Sequence, residues 1–354
     1  MTELKNLAWL NIPSAIPDKK TRQAAEIRQT ELTKPPGALG RLEEVAIWLA
    51  ALKGSERPSL ENIQITVFAG DHGVADEGVS AFPQAVTAEM VKNFARGGAA
   101  ICVSARAIDA NLDVVNLGTA YDTGPLEGVK QYKLGLATAN FTKQAAMTES
   151  QLIRALSAGY EVVDKAKKSA IDLFIGGEMG IANTTASSAL ACLLLDASPA
   201  QLAGPGTGLD HTGVEHKAQV IQTALDLHKP HIDSPLEALR RVGGFEIAAL
   251  VGAYIACAQM RIPVLVDGFI SSVAALVAMK ICCGAENWFL FSHTSAEPGH
   301  QCVLDALSAQ PLLDLGMRLG EGSGAAAAVP LLRLACALHN EMATFAQAAV
   351  SEKL

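Results

Sequence analysis

Four short stretches of this chain carry side chains that chemistry could use. The first is Gly176-Gly177-Glu178-Met179-Gly180-Ile181-Ala182-Asn183-Thr184-Thr185, which runs into an alanine-rich helical segment. Its glycines permit a close backbone approach. Asn183 and Thr184 offer amide and hydroxyl groups where the first helix amides lack partners, which makes an anion cradle. A capped helix start behind a tight turn accounts for this segment equally well. The pattern is neither G-x-x-x-x-G-K-[ST] nor G-x-G-x-x-G, so neither a triphosphate nor a dinucleotide is indicated.

The second stretch, Gly204-Pro205-Gly206-Thr207-Gly208, precedes a polar helical segment holding His216 and Lys217. A lysine one or two turns into such a helix can reach a phosphate as a point charge, although solvated surface lysines are far commoner. The third is Arg318-Leu319-Gly320-Glu321-Gly322-Ser323-Gly324. A carboxylate flanked by glycines has little steric cover, which suits a general base; taken alone, the spacing favours an ordinary loop glutamate. The fourth, Asp71-His72-Gly73 with Asp76 and Glu77, lacks a second histidine at H-x₃-H spacing, while His293 and His300 are far away in sequence. A metal site is therefore disfavoured, and a hydrogen-bonded loop that shapes a pocket is expected. No G-x-S-x-G elbow is present, which argues against an α/β-hydrolase.

The elements that must position these stretches follow a clear rhythm. From residue 63 onward, short β-branched runs alternate with longer alanine-rich helical ones, the pattern of a parallel sheet covered by helices. Strands are expected at 63–69, 112–117, 173–175, 264–266 and 288–291. Parallel sheets bind ligands beyond the carboxyl ends of their strands. The loops beginning at Gly70, Gly176, Asp267 and Ser292 are thus expected to converge on one crevice. Before residue 63, Thr21 to Leu32 and Leu39 to Leu52 carry apolar residues at helical spacing around Pro35-Pro36-Gly37. The last ~25 residues also read as helical. The expected division is a small helical domain from residues 1–55 plus 330–354, and a large α/β domain from 56–329.

Bulk composition narrows the partners. Of the 354 residues, 50% are apolar and 18% charged, so a large core can form. A formal net charge of −8 opposes nucleic acid or an anionic membrane. No basic-then-apolar leader opens the sequence, and the most apolar stretch, Ile247 to Met260, falls short of the ~20 residues a span requires; a cytoplasmic protein is expected. The seven cysteines are odd in number and form no C-x-x-C, so reduced core thiols are expected.

Seven segments, in order, resemble the nicotinate-nucleotide–dimethylbenzimidazole phosphoribosyltransferase family, which makes the α-ribazole phosphate of the cobalamin lower ligand. They are Lys34 to Glu43, Asp71 to Val79, Gly177 to Thr185, Val242-Gly243-Gly244-Phe245, Leu265-Val266-Asp267-Gly268-Phe269, Ser292 to Glu297 and Arg318 to Gly324. The resemblance implies a Rossmann-like parallel α/β domain with a small helical domain from both termini, and a homodimer. It implies Glu321 as catalytic base and no cofactor or metal. It also places the nucleotide's phosphate and ribose at Glu178, Gly180, Gly206, Lys217, Gly268 and Ser295, with Asn183 and Thr184 of the cradle beside them. Substrates would be nicotinate mononucleotide and a benzimidazole-type base. The base-binding wall matches Ser80 to Met90, where this sequence has Phe82 and Met90 in place of the polar side chains of some relatives; an apolar wall suits a planar aromatic acceptor. Two other readings are a nucleotide-binding regulator without turnover, against which the retained Glu321 argues, and a dinucleotide dehydrogenase, disfavoured by the missing G-x-G-x-x-G.

Overall fold

The computed structural model describes residues 4–351; residues 1–3 and 352–354 of the expected helical domain lie outside that range. Six parallel strands make one sheet in the order β3-β2-β1-β4-β5-β6. They are β1 (Ile63–Gly70), β2 (Asn111–Gly118), β3 (Val129–Gln131), β4 (Leu173–Met179), β5 (Val264–Val266) and β6 (Phe289–Phe291). All five expected strands are present, and the α/β class holds. Trp288 closes a 3₁₀ turn, Ala285–Trp288, instead of opening β6. The edge strand β3 lies outside the expected set: three residues are too few to show a period.

The main revision is β4. The segment read as a glycine loop from Gly176 is strand as far as Met179, with Thr66, Val67 and Phe68 of β1 opposite Gly176, Gly177 and Glu178. Glycine weakens a strand unless something must come close to it, and here something does. A Cβ on Gly176 would strike Leu250, and one on Gly177 would strike the backbone of Glu321. Glycine thus lets both the helix Phe245–Met260 and the 320–322 loop press onto the sheet.

Both faces of the sheet are covered, so its central strands are apolar in both directions. Ile63, Ile65, Val67 and Ala69 of β1 join Leu173, Ile175, Leu265 and Leu290 in one core. Phe68, Phe174, Val264 and Phe291 join the other. In the second core the helix Phe245–Met260, buried from Phe245 through Ala258, meets the helix Glu149–Lys168 so closely that a Cβ on Gly159 would collide with the carbonyl of Ala249, and one on Gly252 with that of Leu156.

Helices from the two terminal regions meet on the side of the first core, while Leu7 and Leu10 near the N-terminus pack on the second. The helix Lys19–Glu31 donates from Arg28 to the carbonyls of His339 (2.7 Å) and Asn340 (3.0 Å), and Gln29 bonds the His339 ring at 2.8 Å. An antiparallel bridge joins Leu32 to Thr344. One helix, Ser323–Glu341, runs from the 320–322 loop to this cluster. All seven cysteines are free thiols; five are buried, Cys283 is exposed and Cys302 lies between. Among the described residues no helix is long and apolar enough to cross a membrane.

Candidate active site

The strand order reverses between β1 and β4, and ligands of such sheets sit at that reversal, beyond the strand ends. Here the loops after β1 and β4 touch, since a Cβ on Gly180 would collide with the carbonyl of Gly70. The opening is displaced toward β4, β5 and β6. It is a cleft of about 270 Å³ lined from β4 by Glu178 and Gly180, from β5 by Asp267 and Gly268, and from β6 by His293 and Ser295. The cleft wall is completed by Asn183, Thr184, Gly206, Glu297, Gly320, Phe82 and Leu319.

Two helices start at the cleft. Asn183–Leu195 begins after Ala182 at φ 75°, and Phe269–Ile281 after Gly268; neither start is capped by a side chain. At the first start the Asn183 and Thr185 amides are turned onto the carbonyls of Gly180 and Ala182, which leaves the Thr184 amide. That amide, the first amides after Gly268 and the two helix dipoles favour an anion there. Lys217 adds a cation to the same wall. Its side chain, 1% exposed, runs under the Gly204–Gly206 turn and donates to Thr184 Oγ1 at 3.1 Å and to the Gly204 carbonyl at 2.9 Å. Arg318 braces that turn from above, donating to the Gly206 carbonyl at 2.8 Å. Burial lowers the Lys217 ammonium to about 8, opposed by the charge of Glu297. His216, its neighbour in sequence, turns outward to the Glu77 carbonyl at 2.6 Å.

Carboxylates also line the cleft. Glu178 is bonded to the Asn183 amide. Burial, together with the charges of Glu246 and Asp267, pushes the Glu178 carboxyl up to about 8 against that amide. Asp267 spends both oxygens on backbone: Oδ1 accepts from Ala325 at 2.8 Å, and Oδ2 from Gly322 at 3.2 Å. It thereby ties the end of β5 to the loop that carries Glu321. That loop bends through three consecutive left-handed residues, with φ of 85° at Gly320, 65° at Glu321 and 87° at Gly322. Glu321 is 4% exposed, and its Oε2 accepts from the Ile101 amide at 3.2 Å, at the start of the helix Ala100–Ala107. Burial raises its carboxyl; the Ile101 amide opposes this and the charge of Asp267 adds to it.

The structure thus brings Glu178, Gly180, Asn183, Thr184, Gly206, Gly268, Ser295 and Phe82 into one cleft wall, with Lys217 directly beneath. Glu321 and Met90 are not in that lining. Glu321 lies one residue behind Gly320, and Met90 packs on the first core. Asp71 and His72 are buried behind the wall. Asp71 accepts from Thr87 Oγ1 (2.6 Å) and the Ala120 amide (2.8 Å), while His72 pairs with Glu246 at 2.6 Å. Burial disfavours the His72 cation, but the carboxylate of Glu246 outweighs it and raises the imidazole.

Residue reasoning misses the supporting set. His300 Nδ1 accepts from the Ser295 amide at 2.8 Å, so Nε2 carries the proton toward Ser272 Oγ at 2.9 Å. Burial lowers this histidine to about 3; it is a neutral brace for Ser295. No sequence spacing joins residues 272, 295 and 300. Asp267 does carry a signal, since it directly follows a strand.

The phosphoribosyltransferase family model matches residues 15–350. The nicotinate-nucleotide–dimethylbenzimidazole phosphoribosyltransferase of Pseudomonas aeruginosa is 60% identical over 348 residues, covering 98% of this chain and 99% of the relative. The chain belongs to this phosphoribosyltransferase family. The enzyme of the same name from Pseudomonas putida is 58% identical over 346 residues, again covering 98% and 99%. The crystal structure of CobT from Thermus thermophilus superposes with a TM-score of 0.91 at 43% identity, covering 94% of this phosphoribosyltransferase and 100% of that chain.

Proposed function

We propose that this phosphoribosyltransferase moves the 5-phosphoribosyl group of nicotinate mononucleotide to 5,6-dimethylbenzimidazole or a related base. The products would be α-ribazole 5′-phosphate and nicotinate, for assembly of the cobalamin lower ligand. The observation that carries the reading is the convergence of two uncapped helix starts and Lys217 on one cleft, with the buried carboxylate of Glu321 one residue behind its wall. Lys217 and the helix starts bind the phosphate, and Phe82 and Leu319 offer the mouth an apolar face for a planar ring.

In nicotinate mononucleotide the ring is a pyridinium, so it departs from C1′ as a neutral base and needs no proton. The acceptor nitrogen gains positive charge as it attacks. Glu321 removes the proton from the other ring nitrogen, a contribution of about 10²–10⁴-fold. Holding the two rings on opposite faces of C1′ supplies much of the rest, and attack opposite the leaving ring inverts β to α. A raised carboxyl pKa brings this base closer to the operating pH. The enzyme acts in the cytoplasm as a homodimer, its terminal helices forming a small helical unit that packs on the α/β body. The test is release of nicotinate from nicotinate mononucleotide with dimethylbenzimidazole present: turnover with an α-configured product supports the reading, and a β product or no turnover defeats it.

A further inference from the structure

Glu297 lies between β6 and the helix Gly299–Ala306, 6% exposed, with its side chain in the cleft wall beside Gly206 and Ser295. Its Oε2 rests against Gly204, where any side chain would collide with it. Its Oε1 is buried without a hydrogen-bond partner. Of the other cleft carboxylates, Asp267 accepts from backbone amides at both oxygens, and Glu178 accepts from the Asn183 amide at Oε2. Lys217 directs its hydrogen bonds to Thr184 and Gly204. The Glu297 carboxylate therefore lines the cleft with its buried Oε1 left without a donor.

An ionised carboxylate only accepts, and burying an acceptor without a donor is costly. The ligand of the proposed reaction has few donors to offer. Its phosphate dianion and nicotinate carboxylate are acceptors, and its ring nitrogen is quaternary. In the nucleotide only the two ribose hydroxyls can donate, and the ring N–H of the acceptor base is the proton assigned to Glu321. We infer that Glu297 is a specificity-determining residue that accepts a hydrogen bond from the 2′- or 3′-hydroxyl of the transferred sugar and so selects ribose over deoxyribose. The inference rests on the proposed reaction, and the charge of Lys217, which favours the ionised Glu297 carboxylate, offsets the repulsion between the two anions.

The test compares kcat/KM for nicotinate mononucleotide and its 2′-deoxy and 3′-deoxy analogues in the wild type, Glu297→Gln and Glu297→Met, with a thermal melt of each. The wild type should lose about 10- to 100-fold on at least one deoxy analogue, the size expected for a hydrogen bond to a charged group. That ratio should shrink in the Gln variant and fall to about 3-fold or less in the Met variant. A ratio preserved in a folded variant, or an equal loss on all three nucleotides, overturns the assignment. So does a defect that disappears with nicotinate riboside, which would place Glu297 in the phosphate cradle. If the Met variant does not fold, the wild-type and Gln ratios decide alone. A wild type that turns over without discriminating sinks this inference only, whereas one that fails to turn over sinks the reaction itself.

Discussion

Glu321 is a non-glycine residue held at φ 65° between two glycines that are also left-handed, a conformation costing roughly 1–2 kcal/mol. Burying its carboxyl adds to that cost. Glu321→Gln is therefore expected to lower kcat by about 10²–10⁴-fold while the melting temperature stays level or rises and nucleotide affinity is kept; steady-state kinetics and calorimetry check both parts. Lys217→Ala should act on binding instead, raising KM for the nucleotide about 10-fold or more with a smaller change in kcat. The sequence makes both residues candidates through their glycine-rich neighbours. It does not disclose His300 or the free acceptor of Glu297, because their roles depend on contacts made after the chain has folded, and a lone histidine or glutamate has no period to read. Met90 reads as part of the ring-binding wall; in the structure it is partly buried against the first core and outside the cleft lining.

Among the elements, the strands are legible because a buried parallel sheet writes itself as β-branched runs; β3, three residues at an edge, has too little length to do so. The end of β4 misleads for a physical reason. Glycines usually mark turns, but Gly176 and Gly177 are strand residues thinned to admit a helix and a loop. Gly177→Ala should therefore push the 320–322 loop away from the sheet. The expected result is a loss of stability of about 1–3 kcal/mol from overpacking together with a larger loss of kcat, since the displaced loop holds Glu321. Chemical denaturation beside turnover measures the two effects. Gly159→Ala, at the helix crossing behind the sheet, should cost similar stability and leave kcat nearly intact.

For the whole molecule, buried carboxyls tie stability to pH. In the folded protein, burial and the neighbouring carboxylates push Glu178 up to about 8, against 4.5 for an ordinary glutamate. Between those values the native state binds more protons than the unfolded chain, so its contribution is fully present below about 4.5 and is lost as pH rises through about 8. The wild type should lose melting temperature over this range more steeply than Glu178→Gln, as scanning calorimetry across the range would show. Nicotinate mononucleotide at 100 times its Kd should stabilise the fold by about 2.7 kcal/mol, an effect that shrinks in Lys217→Ala at the same concentration. The helix Ser323–Glu341, 19 residues and about 28 Å long, is a strut with the reactive loop at one end and the Arg28 hydrogen bonds at the other. Distant surgery is thus felt at the chemistry: cutting Arg28 back to alanine would unmoor the far tip of that rod, and hydrogen exchange should quicken at its near tip, around Gly324, without any change to a residue that meets the ligand.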